Sequence, residues 1–90
     1  MNKQRRKQIE EVRERLTSIR CEMEELLEEI ESTLLDEETY RDNIPENLQR
    51  TEKYEKADAT CDILSSAYDL LADVNDNLEE AVSTLEEAIE

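Results

Sequence analysis

A chain of ninety residues with no glycine and a single proline, Pro45, has few ways to turn. Glycine is the default residue wherever the backbone needs a positive φ, and proline is the strongest stop for a helix. Glycine is absent throughout, and proline is absent from every stretch except residues 42 to 49, "DNIPENLQ". The sequence on either side therefore reads as uninterrupted helix, and this octapeptide reads as the one corner. Few aromatics, three tyrosines in all, with abundant Glu, Leu, Ala and Arg fit long helices better than a sandwich or barrel.

Apolar periodicity supports that reading against disorder, which a formal net charge of −15 would otherwise favour. In the first helix Ile9, Val12, Leu16, Ile19, Met23, Leu26 and Ile30 alternate steps of three and four, a heptad seam. Leu27 and Leu34 widen the stripe toward its far end. The second helix keeps the same alternation more regularly through Ala57, Cys61, Leu64, Tyr68, Leu71, Asn75, Leu78, Val82, Leu85 and Ile89. Ala67, Val74, Ala81 and Ala88 border this seam and would let another helix approach closely, so the face is wide enough for more than one neighbour. Asn75 interrupts the seam, as a single buried Asn does where it fixes register or oligomeric state.

Two segments of about 35 residues are each roughly 50 Å long. Matched lengths and a short connection predict an all-α fold: an antiparallel two-helix coiled-coil hairpin that dimerises into a four-helix bundle. Residues 1–90 form one domain, with helices over about 3–40 and 51–89 and the corner over about 41–50. Pro45 ends the first helix after Ile44, Asn43 with Glu46 resembles a capping pair, and Thr51 offers a second helix start.

Charge gives an independent reason for the antiparallel arrangement. Residues 1–20 carry seven cations against three acids, whereas ten acids and no cation come after Lys56. Cations at a helix start and anions at a helix end both oppose the macrodipole. Folding back lays one beside the other. At the corner Arg41, Arg50, Lys53 and Lys56 are expected to face the acids of "EMEELLEEIE". Each exposed pair contributes only about 0.5 kcal/mol, but together they select antiparallel pairing. Cys61 then lies on the seam near residue 33, and Cys21 points outward, about twelve residues or roughly 18 Å out of step. A bridge within one chain is not expected.

Chemistry is not expected. The chain has no histidine, no Gly-rich phosphate loop, and no nucleophile with a candidate base, so an enzyme is not expected, and neither is a metal or other cofactor. No run of about 18 apolar residues could span a membrane, and the basic start lacks the apolar stretch of a secretion signal. The cytoplasm is the expected location. "KQRRK" is short and has acids to pair with, so direct nucleic-acid binding is not expected.

The corner and the start of the second helix, "YRDNIPENLQRTEKYEKA", with the Leu/Ala heptads beyond it, resemble a group of small uncharacterised acidic helical proteins of phages and mobile elements in Gram-positive bacteria. The resemblance covers roughly residues 40 to 90. Arg50 and Thr51 stand where such proteins often have Gly and Ser, and no functional residues carry over.

Three functions are expected as alternatives. The first is a module that self-associates and binds a protein partner, with Asn43, Pro45, Asn47, Leu48, Gln49 and Tyr54 as a recognition tip and residues Leu64 to Leu85 as the core and oligomer seam. Alternatively, Leu48 and Tyr54 cap the open end of the hairpin core. The second is a phage-encoded anti-defence inhibitor of a host nucleic-acid-binding protein. Asp62, Asp69, Asp73, Asp76, Glu79 and Glu80 would then imitate phosphates at a spacing of about 5–6 Å. The third is a purely architectural oligomer.

Overall fold

The computed structural model describes residues 1–49 and 51–90, so the part expected of Arg50 at the corner lies outside the described residues. Helix α1 runs Lys3–Asp42, a 3-10 turn spans Glu46–Leu48, and helix α2 runs Glu52–Ala88. Asn2 caps α1, its side-chain oxygen accepting from the Arg5 amide at 2.8 Å. Beyond that cap, long runs of Glu, Leu, Arg and Lys offer nothing that breaks a helix.

The corner turns without glycine because no described residue has a positive φ. Asn43 ends α1 in the right-handed region, and Pro45 turns the chain at φ −55°, ψ 143°. Here one expectation is corrected. Asn43 is a C-cap, and Pro45, which offers no side-chain acceptor, precedes the 3-10 turn. Thr51 starts α2, its hydroxyl oxygen accepting from the Tyr54 amide. Glu52 and Glu55 in the first turn of α2 complement its dipole.

The two helices form an elongated hairpin measuring 70 × 15 × 15 Å. Its radius of gyration is 20.2 Å, against about 12 Å for a compact chain of this length. Three ties along the rod set the level of one helix against the other. Arg6 Nη1 donates to the Ile89 carbonyl at 2.7 Å, Arg20 lies 3.6 Å from Glu79, and Arg41 Nη1 donates to Asp58 at 3.0 Å. The Arg6 bond supplies a cation to a helix end whose own last turn has none.

These levels correct the corner's expected ion pairs. Residues 22–31 lie beside the middle of α2, too far along the rod to meet Lys53 and Lys56. Arg41 binds Asp42 and Asp58 instead, and Lys53 lies over the Tyr40 ring, 5.6 Å from its centre. Cys61 feels the charges of Arg41, Glu37 and Glu38, which puts it about one turn from the expected level at residue 33.

On α2 the inward residues are those of the sequence seam. Ala57, Cys61 and Val82 are buried, and Leu64, Tyr68, Leu71, Asn75, Leu78, Leu85 and Ile89 are half-buried. On α1 the seam is rotated. Ile9, Leu16, Met23 and Ile30 turn inward as expected, but their partners are Arg13, Arg20, Leu27 and Leu34. Val12, Ile19 and Leu26 remain 47%, 48% and 44% exposed. Arginine makes this possible, because a long aliphatic stem can line a seam while its charged head reaches the edge. Arg20 extends to Glu24 and Glu79, and Arg41 to Asp42 and Asp58.

Candidate functional site

Heptad lettering sorts the rest of the surface into two long faces. With Arg20 and Leu27 at position a of α1, and Cys61 and Asn75 at position a of α2, position e borders the seam on one side and position g on the other. The e side is polar. It holds Glu24 and Asp58, and Glu79 joins them there. Donation to Asp42 raises the Arg41 guanidinium above its ordinary value, burial opposes that shift, and donation to Asp58 adds to it. Burial pushes the Cys61 thiol above its ordinary value, and Arg41 opposes that shift.

Away from the tip the g side is apolar on both helices, whereas Thr33, Lys53 and Thr60 hold the g positions nearer the tip. Val12, Ile19 and Leu26 run along α1 at one-heptad steps, and Ala67, Val74, Ala81 and Ala88 run along α2. Ile63 and Leu70, both 67% exposed, stand just outside the α2 column. Besides a recess near the tip among Glu37, Tyr40, Lys53, Lys56, Ala57 and Thr60, two shallow grooves cross this face. One of about 280 Å3 is lined by Leu26, Glu29, Ile30, Thr33, Leu64 and Leu71. The other, about 310 Å3, lies at the open end among Met1, Arg5, Gln8, Ile9, Val12 and Leu85. Both grooves mix residues of α1 and α2, so the apolar columns of the two helices share one face of the hairpin.

The tip is a separate surface. A recess of about 210 Å3 is lined by Tyr40, Asn43, Ile44, Pro45, Leu48, Thr51 and Lys53. Of the residues expected there, Asn43, Pro45 and Leu48 line the recess. Asn47 is exposed outside it, and Gln49 and Tyr54 are half-buried. Closing the core falls to Ile44, which is buried, while Leu48 stays exposed. Tyr40 was not expected at the tip and Lys53 was expected only as a partner for acids, because both sit outside the octapeptide. Ile63 and Leu70 were also missed, although each directly precedes a seam leucine, in "DIL" and "YDLL".

The third surface is acidic. Asp62, Asp69, Asp73, Asp76, Glu79 and Glu80 are all exposed on α2, and among them only Glu79 forms an ion pair. Cys21 is exposed and Cys61 buried, both as free thiols. Among the described residues no three Cys, Asp or Glu side chains cluster as a metal site, and no helix is long and apolar enough to cross a membrane. No protein family, curated protein or solved structure matches this chain.

Proposed function

We propose that this chain is an acidic protein-interaction module: an antiparallel coiled-coil hairpin that self-associates and presents its tip to a protein partner. One observation carries the reading. Among the described residues no large side chain is fully buried, while Val12, Ile19, Leu26, Ile63, Leu70 and Val74 all stand in water. Isolated surface apolar residues need no explanation, but a continuous apolar face along a rod does. The ties of Arg6 to Ile89 and Arg20 to Glu79 support the antiparallel sense. The exposed Leu48 beside the Tyr40–Lys53 pair supports a role for the tip.

Sedimentation equilibrium across a range of concentrations tests self-association. The reading expects a species heavier than one 10.6 kDa chain, with a Tm that rises with concentration. A single chain with a concentration-independent Tm contradicts it. For the tip, Leu48→Ala is expected to abolish partner capture that survives high salt. Capture unchanged by Leu48→Ala would put the partner's contact away from the tip.

A second reading has an observation of its own. Five of the six candidate carboxylates on α2 are free of ion pairs and face water, as imitation of nucleic acid by an anti-defence inhibitor requires. Such binding is expected to collapse as salt rises and to be displaced by DNA.

A further inference from the structure

The exposed apolar face poses a question that the self-association reading leaves open: which surfaces meet, and in which orientation. Four observations bear on it.

The first is area. The chain exposes 7014 Å2, whereas a folded monomer of its mass exposes about 5,500 Å2. The excess of about 1,500 Å2 exceeds the roughly 800 Å2 that each partner contributes to a standard interface. One face of the rod can therefore be covered without leaving the protein unusually buried.

The second is charge. The tip half, residues 21–70, carries sixteen acids and four cations, while residues 1–20 and 71–90 together carry ten acids and seven cations. The two halves thus stand at −12 and −3. Stacking two copies with their tips at the same end would set −12 against −12. Reversing one copy sets each strongly acidic half against the other's nearly neutral half, which lowers the repulsion.

The third is the shape of the face. Val12 and Ile19 project near the open end, and the groove between Leu26, Ile30, Thr33, Leu64 and Leu71 lies toward the tip. A reversed copy brings those knobs level with that groove. It also brings the exposed Tyr40 level with the open-end groove at Arg5 and Val12. With the two-fold axis at mid-rod, Ile19 of one copy is level with Leu26 of the other, and Arg15 with Glu29.

The fourth is unused charge. Among the described residues Arg5 and Arg15, at positions g and c on that face, form no ion pair, although acids crowd the other end of the rod.

We infer that the apolar g face is a homodimer interface, in which a second copy packs face to face about a two-fold axis perpendicular to the rod, tips at opposite ends. The inference rests on the self-association reading and adds to it the face, the occupant and the symmetry. The result is a four-helix bundle in which α1 stacks on α1 and α2 on α2. The acidic outer faces and both tips stay open to solvent, so the dimer offers two recognition tips about one rod length apart.

The test combines two readouts on the full chain. Leu26→Glu with Leu70→Glu is expected to raise the dimer dissociation constant by more than about 100-fold, because each buries a charge at the centre of the face. Leu35→Lys, on an exposed position away from that face, is the control and is expected to change the constant by less than about threefold. Circular dichroism checks that each variant keeps its helices. Separately, a spin label at Asn47→Cys, with Cys21→Ser and Cys61→Ala, reports the distance between the two tips. The expected distance is close to the 70 Å length of the rod; tips at the same end would give about 20 Å. A chain that stays monomeric overturns the self-association reading and the interface with it. A dimer indifferent to Leu26→Glu/Leu70→Glu overturns the face while leaving self-association standing. A dimer that the pair disrupts but whose labels lie near 20 Å overturns the symmetry alone.

Discussion

Helices α1 and α2 both carry three-four patterns, yet only α2 turns inward every residue its pattern suggests. On α2 one column of apolar residues is unambiguous, because Cys61, Tyr68, Asn75 and Val82 have no rival that is both larger and as regular. On α1 two columns compete beside Ile9, Leu16, Met23 and Ile30. Val12, Ile19 and Leu26 are the more apolar, whereas Arg13, Arg20, Leu27 and Leu34 are the ones that face α2. The difference teaches that a seam is chosen by the pair of helices. Arginine stems serve as seam residues when the edge beside them supplies carboxylates, as Glu24, Glu79 and Asp58 do here. The column left over becomes an outer face.

The sharpest way to break this comparison is to truncate adjacent leucines. In the isolated hairpin, at concentrations below self-association, Leu27→Ala is expected to cost about 2–4 kcal/mol. Leu26→Ala is expected to cost less than about 1 kcal/mol under the same conditions. Urea unfolding followed by circular dichroism checks both, and equal losses would restore the seam expected from sequence.

Among the described residues one polar seam residue on each helix has a buried atom lacking a hydrogen-bond partner: Arg20 Nε on α1 and Asn75 Oδ1 on α2. A buried acceptor without a partner costs about 1–3 kcal/mol. Asn75→Leu is therefore expected to stabilise the hairpin by about 1 kcal/mol while loosening its register, read as extra species in sedimentation. Arg20→Met is expected to be nearly neutral, since it removes the orphaned atom together with the Glu79 pair.

The helix caps at the corner give a smaller contrast. Thr51→Ala removes the acceptor for the Tyr54 amide and is expected to cost about 1 kcal/mol, whereas Asn43→Ala should cost only a few tenths. The smallest effect concerns the thiols. Cys61 keeps its proton in the folded state to higher pH than in the unfolded chain. The unfolded state therefore loses a proton first, and stability falls as pH rises past the ordinary thiol value of 9.0. Cys61→Ala is expected to flatten that alkaline limb, and a thiol reagent should modify Cys21 well before Cys61.

Much of the architecture was legible because it depends on local chemistry. A glycine-free chain with Pro45 at mid-length gave two long helices and a corner, and the heptads of α2 located its inward residues. The charge contrast between residues 1–20 and the end of α2 was legible as a tendency. Its details were not: Arg6 binds a backbone carbonyl, Arg41 pairs with Asp42 and Asp58, and Lys53 lies over Tyr40. Such details depend on axial register, and a shift of one turn changes every partner. The candidate surfaces were less legible for the same reason. Deciding whether Val12, Ile19 and Leu26 are core or surface needs the rotation of α1, which its own residues leave ambiguous. Tyr40 and Lys53 meet only once the corner has folded.

All of these surfaces presuppose that the chain folds back on itself with the start of α1 beside the end of α2. Spin labels at Lys7→Cys and Glu87→Cys, in a Cys21→Ser/Cys61→Ala background, measure that directly when doubly labelled protein is diluted into unlabelled chains. The account expects a separation within about 20 Å, two packed helices and their label arms. A separation beyond about 40 Å inside one subunit would mean that the two helices do not lie together, and the apolar face they jointly form would not exist.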